Sequence, residues 1–317
     1  MRTICLTGGT GFVGSHLLEL LEQEPEVKVK VLSRKQADMP YHADHVQVFL
    51  GDLLDSNSLV RFLEPDSITI NLAYMSNRLP EDNIEAGLNL ARACAKVGVA
   101  HLIHVSSAVV VGRTAETVIT EKTHCNPITR YERAKLEIEK ALLSNLGSIC
   151  KVSILRPTEV FGEGGRGLIH LTRNLMNGST LINRLKLSLY GRRRLNLVYV
   201  GNVAAAIRFL MFTDREINKQ CYIVSDDEAE ENNYCDVVRL MTTCLGRTLP
   251  RTSYFKSPSS ILSTILGIIG RSNTNPYRIY SCDKLLHLDF RKPVSFMEGL
   301  QRFADWYKRT IVGAEQV

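Results

Sequence analysis

Thr7-Gly8-Gly9-Thr10-Gly11-Phe12-Val13-Gly14 is the stretch that decides the fold. A β-branched run, Thr3–Thr7, leads into it, and a helical pattern, Val13–Glu22, leads out. Glycines at 8, 11 and 14 set up a loop with three separate jobs. Gly8 permits a sharp turn, Gly11 lets backbone approach a pyrophosphate, and Gly14 lets the new helix lie close to the sheet. Free N–H groups at the helix start then face the anion. Glycines also make ordinary tight turns; it is the strand–loop–helix setting that gives these a ligand.

Outward from the loop, short β-branched runs alternate with helical ones, the pattern of a parallel sheet covered on both faces. Strands are expected at Thr3–Thr7, Lys28–Ser33, Val46–Leu50, Ser67–Leu72, His101–Ser106 and Lys151–Leu155. Helices are expected at Val13–Glu22, Ser56–Phe62, Ile84–Val97 and Pro127–Leu146. Asn126 reads as the cap of the last helix, Pro127 as its first residue and Gly147 as its close. Past Pro157 come a glycine-rich loop, a helix (Leu168–Asn177), a basic stretch, a strand (Leu197–Val200), a helix capped by Asn202 (Val203–Phe212) and a strand (Cys221–Val224). The chain thus leaves the sheet, returns and leaves again. The expectation is an α/β fold with a doubly wound parallel (Rossmann) sheet from residues 1–165 plus 195–230. A smaller, discontinuous C-terminal substrate lobe takes 166–194 plus 231–317.

The chain's 317 residues, 44% of them hydrophobic, are enough for a full core. A net charge of +6 suits an anionic partner, and a dinucleotide or nucleotide-sugar phosphate meets that need as well as nucleic acid would. No aromatic–basic ladder suggests base stacking, so nucleic acid is not expected. Eight cysteines without C-x-x-C or zinc-type spacing fit a reducing, cytoplasmic compartment and offer no metal site. Ile4-Cys5-Leu6-Thr7 opens the fold at once, so no signal peptide is expected. The run Ile261–Gly270 is about half a bilayer span and reads as a buried or groove-lining helix, with a membrane-surface role as the lesser alternative, rather than an integral membrane segment.

The second strand ends Val31-Leu32-Ser33-Arg34-Lys35, without the acid that would accept from an NAD ribose. An arginine fork matches the oxygens of a 2′-phosphate. NADP(H) is therefore favoured, with Ser33, Arg34 and Lys35 as contacts; NAD(H) stays possible if Arg34 and Lys35 merely face solvent. Asp52 after the third strand could accept from an adenine amino group or cap the helix near Ser56. Leu72-Ala73-Tyr74 ends the fourth strand, where small residues admit a ribose.

Ser107 follows the fifth strand, and Tyr131 and Lys135 lie four apart on one helix face. An ammonium beside a phenol lowers its pKa and makes it a usable proton-exchange group near neutrality. Tyr131 could then exchange a proton with a substrate oxygen, held also by Ser107, as hydride moves. Here the chain resembles the extended branch of the short-chain dehydrogenase/reductase superfamily, which includes nucleotide-sugar epimerases, dehydratases and reductases. The matching stretches are Thr7–Gly14, Gly51–Leu53, Asn71–Ala73, Ser106–Gly112, Tyr131–Lys135, Arg156–Gly162, Arg194–Ala204 and Lys284–Tyr307.

The resemblance implies Ser107, Tyr131 and Lys135 as the catalytic triad. It implies a cofactor set of Gly8, Thr10, Gly11, Phe12, Val13, Gly14, Asp52, Leu53, Leu72, Ala73, Tyr74, Val105, Tyr131, Lys135, Pro157 and Val160 besides the second-strand contacts. Asn83 matches a structural or water-relay asparagine. The implied substrate contacts are Ser107, Val109, Tyr131, Glu159 and Arg194, the last aimed at a sugar-nucleotide diphosphate unless it is only a solvated member of its arginine run. Ala108-Val109 stand where 4,6-dehydratases carry an acidic pair, which argues against dehydration. The expected activity is NADP(H)-dependent reduction of a 4-keto, 6-deoxy nucleotide sugar. An NAD-dependent 4-epimerase, a reductase of free hydrophobic ketones and a non-catalytic NADP sensor are the alternatives. A homodimer through the Tyr131 helix and its neighbour is common among such proteins.

Overall fold

The computed structural model describes residues 2–24, 26–36, 45–246 and 259–312. The chain runs β1 (Arg2–Thr7), α1 (Phe12–Leu21), β2 (Val27–Ser33), β3 (Val46–Leu50), α2 (Ser56–Phe62), β4 (Ile68–Asn71), α3 (Pro80–Val97) and β5 (His101–Val105). Then come β6 (Val118–Ile119), α4 (Arg130–Leu146), β7 (Lys151–Pro157), β8 (Glu159–Phe161), α5 (Arg166–Asn177), α6 (Thr180–Tyr190), β9 (Leu197–Tyr199) and α7 (Val200–Phe212). It closes with β10 (Gln220–Val224), α8 (Tyr234–Cys244), α9 (Ser259–Ile268), β11 (Ile279–Tyr280), α10 (Asp283–Leu286) and α11 (Phe296–Tyr307).

Seven strands form one parallel sheet in the order β10-β7-β5-β4-β1-β2-β3. This is the doubly wound α/β architecture expected from the alternating runs. Period-2 alternation divides the side chains between two covered faces. Ile4, Leu6, Val29, Val31 and Ile70 share one core with Leu17 of α1 and Ile207 of α7, whereas Cys5, Leu102 and Val152 share another with residues of α2, α3 and α4. Strand order reverses between β1 and β4, so their C-terminal ends part to leave a crevice, the place where such sheets hold ligands. A third core, around Phe161, Leu168, Tyr199, Phe296 and Phe303, binds α5, α8 and α11 together. The portions of the expected second lobe at 247–258 and 313–317 lie outside the described residues.

Three local readings need correction. Helix α4 begins at Arg130, because Thr129 and Glu132 form a reciprocal capping box: Thr129 Oγ1 accepts from Glu132 N (3.2 Å), and Glu132 Oε2 from Thr129 N (3.1 Å). Asn126 instead pairs with the loop after β5, donating from its backbone N to Val111 O at 2.8 Å. Helix α7 begins at Val200, and Asn202 is no cap. It is buried in the first turn, where its Nδ2 donates to Val294 O (2.8 Å) and Asp226 Oδ1 (3.2 Å). The basic stretch contains a further helix, α6, capped by Ser179.

Candidate active site

The Gly8 loop needs its glycines for backbone reasons. Gly8 has φ +74°, and a Cβ there would lie 2.8 Å from Ala73 N; one on Gly14 would lie 2.3 Å from Gly8 O. Both obstacles are main chain and cannot swing aside. Helix α1 starts behind Gly11 without a side-chain cap, leaving its leading N–H groups for an anion. A cleft of about 880 Å³ opens here, of a size suited to a large ligand. It gathers Gly8, Thr10 and Gly11 from the loop, Ser33, Arg34 and Lys35 from the end of β2, Asp52 and Leu53 after β3, and Leu72, Ala73 and Tyr74 after β4. Ser33 Oγ donates to Lys35 O (2.6 Å), which fixes the turn carrying Arg34. Capping of α2 falls to Asp55, which accepts from Asn57 N (2.9 Å), so Asp52 remains in the cleft wall.

Phe12, Val13 and Gly14 stand behind this cleft. Phe12 meets His16 edge-on at 5.7 Å, Val13 packs on the core, and Gly14 lies under the loop. Pro157 is buried at the end of β7, and Val160 is half-buried in β8; neither lines the cleft. Val105 contributes its carbonyl, which accepts from Lys135 Nζ at 3.2 Å.

Ser107, Tyr131 and Lys135 come together at the cleft's inner end, with Tyr74 among them. The Tyr74 and Tyr131 rings meet edge-on, centroids 4.9 Å apart at 84°. The Lys135 ammonium lies over the Tyr74 face, 4.9 Å from its centre. Ser107 caps a short turn, Ala108–Val111, accepting from Val109 N at 3.4 Å. Burial pushes the Tyr131 phenol up to about 12; Tyr74 adds to that, a Ser107 hydrogen bond opposes it, and Glu159 adds a little more. Burial pulls Lys135 down to about 8, with Glu139 opposing from one turn further along α4. The Lys135 ammonium meets the Tyr74 ring and the Val105 carbonyl. Below Lys135, Glu139 is held by a buried Arg156, whose Nε donates to Glu139 Oε1 at 3.0 Å.

Asn83 is structural: Met75 N donates to its Oδ1 (2.7 Å), and its Nδ2 donates to Leu79 O (3.1 Å). His101 and His104 are core residues, bonded to Ser153 and Asn71 and kept neutral by burial.

A second cleft, of about 640 Å³, is lined by Ala108 and Val109 just past Ser107 and by Ile269 to Asn273 from the C-terminal part of the chain. Ala108, Val109, Leu195 and Ile269 give it an apolar wall; Glu159, Arg193 and Arg271 give it charge. Enclosure raises the Glu159 carboxyl, with Arg271 opposing. Arg194, the expected anion ligand, is not in this wall: its Nη1 donates to Ala229 O (2.7 Å) and Glu230 O (3.4 Å). Its neighbour Arg193 and the distant Arg271 take that position, close enough to repel one another after burial has already lowered Arg193. Sequence reading missed both, along with Asn196, which lines the cleft while donating to Asp227 Oδ2 (2.7 Å). For Asn196 the Asp226-Asp227 pair, separated from β10 by one residue, was the available signal, since two acids at a buried strand end demand partners. Burial raises Asp227 to about 6, and the Tyr280 N–H and Asn196 hold it down.

Residues 4–224 match the model of the NAD-dependent epimerase/dehydratase family. Among curated proteins, the chain is 24% identical over 272 residues to the decarboxylating sterol-4-alpha-carboxylate 3-dehydrogenase of Schizosaccharomyces pombe, covering 80% of this chain and 78% of that one. Its fold is similar to that of dTDP-glucose 4,6-dehydratase from Bacillus anthracis in complex with NAD (TM-score 0.75, 18% identity, 98% and 97% of the two chains). It is also similar to UDP-glucose 4-epimerase from Thermotoga maritima with UDP-glucose (TM-score 0.72, 19% identity, 98% and 100%).

Proposed function

The chain belongs to the NAD-dependent epimerase/dehydratase family, and from that membership we propose that it is an NADP(H)-dependent oxidoreductase reducing the 4-keto group of a nucleotide-activated 6-deoxy sugar. The observation that carries this reading is the Tyr131 phenol, hydrogen-bonded to Ser107 and edge-on to Tyr74, between a glycine cleft that Tyr74 lines and a second cleft, bearing two arginines, that Ala108 and Val109 line. The uncapped α1 start, the glycines that exclude a Cβ, and Arg34 would hold the dinucleotide. When bound, it supplies or accepts hydride. Tyr131, protonated at neutral pH, gives its proton to the emerging substrate oxygen, and Ser107 holds that oxygen by hydrogen bond. Lys135 orients the ribose side, and Arg193 and Arg271 take the diphosphate. A homodimer through α4 and α3 belongs to the same reading.

A second reading is favoured by the similarity to sterol-4-alpha-carboxylate 3-dehydrogenases and by the apolar wall of Ala108, Val109, Leu195 and Ile269. In it, the arginines hold the carboxylate of an alicyclic hydroxy acid. Following NADPH absorbance with a panel of nucleotide 4-keto sugars, and NAD(P)⁺ reduction with alicyclic hydroxy acids, separates the two. Consumption of NADPH with the sugars supports the first; conversion between 4-epimers without net cofactor loss would replace it with epimerisation. Tyr131→Phe should cut turnover about 10²–10⁴-fold with cofactor binding retained, and unchanged turnover removes Tyr131 from the mechanism.

A further inference from the structure

Helix α9 is buried on one side only, and just past its end Ile269 and Gly270 line the second cleft. Leu262 and Leu266 are covered, but Ile261 (49% accessible), Ile268 (79%) and Ile269 (59%) stand in solvent. Helix α6 does the same with Leu181 (65%), Ile182 (51%) and Leu185 (61%). Isolated exposed apolar residues are ordinary, whereas five large ones on two helices, with Ile269 just past the second, need an explanation. Both helices run out at one rim: α6 ends three residues before Arg193, and α9 three before Arg271, and both arginines line the second cleft.

The described chain beside α6 carries charge of one sign: Arg166 and Arg173 on α5 and Arg184 and Lys186 on α6 are accompanied by no acid on either helix, and Arg193 and Arg271 follow α6 and α9 at the cleft rim. Apolar side chains beside such cations complement a surface that is apolar below and anionic above. Among the described residues no helix is long and apolar enough to cross a bilayer, so such a helix would lie on it.

We propose that α6 and α9 seat the protein on an anionic lipid surface, with the rim of the second cleft toward the bilayer. Apolar side chains enter the acyl boundary while the flanking cations meet the headgroups. The rim's meaning rests on the second cleft holding substrate, but docking is read without substrate or cofactor, so the two readings fail separately.

The test is co-sedimentation of the full chain with phosphatidylcholine vesicles, with and without phosphatidylserine, at low and high salt. The protein should pellet with the phosphatidylserine vesicles only, and high salt should release it. Leu181→Ser with Leu185→Ser, and separately Ile261→Ser with Ile268→Ser, should each weaken partition about tenfold or more, at unchanged melting temperature and NADPH affinity. Three results would overturn the proposal: no pelleting with anionic vesicles, undiminished pelleting by both folded variants, or a wild-type dimer that either variant dissociates. The last would assign the face to a second copy of the chain.

Discussion

Replacing Lys135 with methionine preserves the length of the side chain and removes its charge from a site that is 4% accessible. Burial drops this lysine from its ordinary 10.5 to about 8. Holding it charged at neutral pH therefore costs the folded state about 3 kcal/mol. The variant gives up the bond to the Val105 carbonyl, worth about 1 kcal/mol, so the net gain is about 2 kcal/mol. For a chain this long, that raises the melting temperature by about 3 °C. Between pH 8 and 10.5 the unfolded chain keeps the lysine proton and the folded one sheds it. Wild-type stability accordingly climbs by about 3 kcal/mol across that window, so the variant's lead falls through zero and reverses toward its upper end. Scanning calorimetry of both proteins from pH 7 to 10 measures this, and turnover of the variant should be abolished even where it is the more stable protein. A variant that melts below wild type at pH 7, or a lead that widens with pH, refutes the claim that burial governs Lys135.

Gly14→Ala forces a Cβ to 2.3 Å from Gly8 O; the overpacking costs about 1–3 kcal/mol, and NADPH affinity should fall at least about tenfold by fluorescence titration. Arg34→Ala should weaken NADPH roughly ten- to a hundredfold and leave NADH unchanged, as isothermal titration would show. With Tyr131 raised to about 12, its phenol is protonated across the working range. The reductive rate should then stay flat from pH 6 to 9, while the oxidative rate, which needs the phenolate, rises steeply with pH.

Much of the sheet was legible because its strands are covered on both faces and read as continuous β-branched runs. The half-exposed edge strand Val46–Leu50 and the helix Ser56–Phe62 were also placed to the residue. What the sequence hid was competition between local signals. Asn126-Pro127 and Thr129-x-x-Glu132 both announce a helix start; the capping box prevails because it satisfies two backbone N–H groups reciprocally, while Asn126 is claimed by the loop at Val111 and Arg113. Asn202 fits the same account: as a cap it would satisfy one N–H, but inside α7 it joins Asp226 to the Val294 backbone, a bond spanning 92 positions.

The site divides along the same line. Helical spacing places Tyr131 and Lys135 on one face, and so the pair was legible, but spacing is silent about what lies over that face. The ring that receives the ammonium comes from β4, through Tyr74, and the carbonyl that receives its hydrogen bond comes from β5, through Val105. A buried charge settles on whichever neighbours complete its solvation, and most of those come from other elements of the fold. The arginines obey the same rule. Arg194 is drawn off by two carbonyls beyond β10, which leaves Arg193 to the cleft, and the second cation, Arg271, arrives from 78 residues downstream of Arg193. Within an arginine run the sequence supplies the charge, and only the fold decides which member faces the ligand.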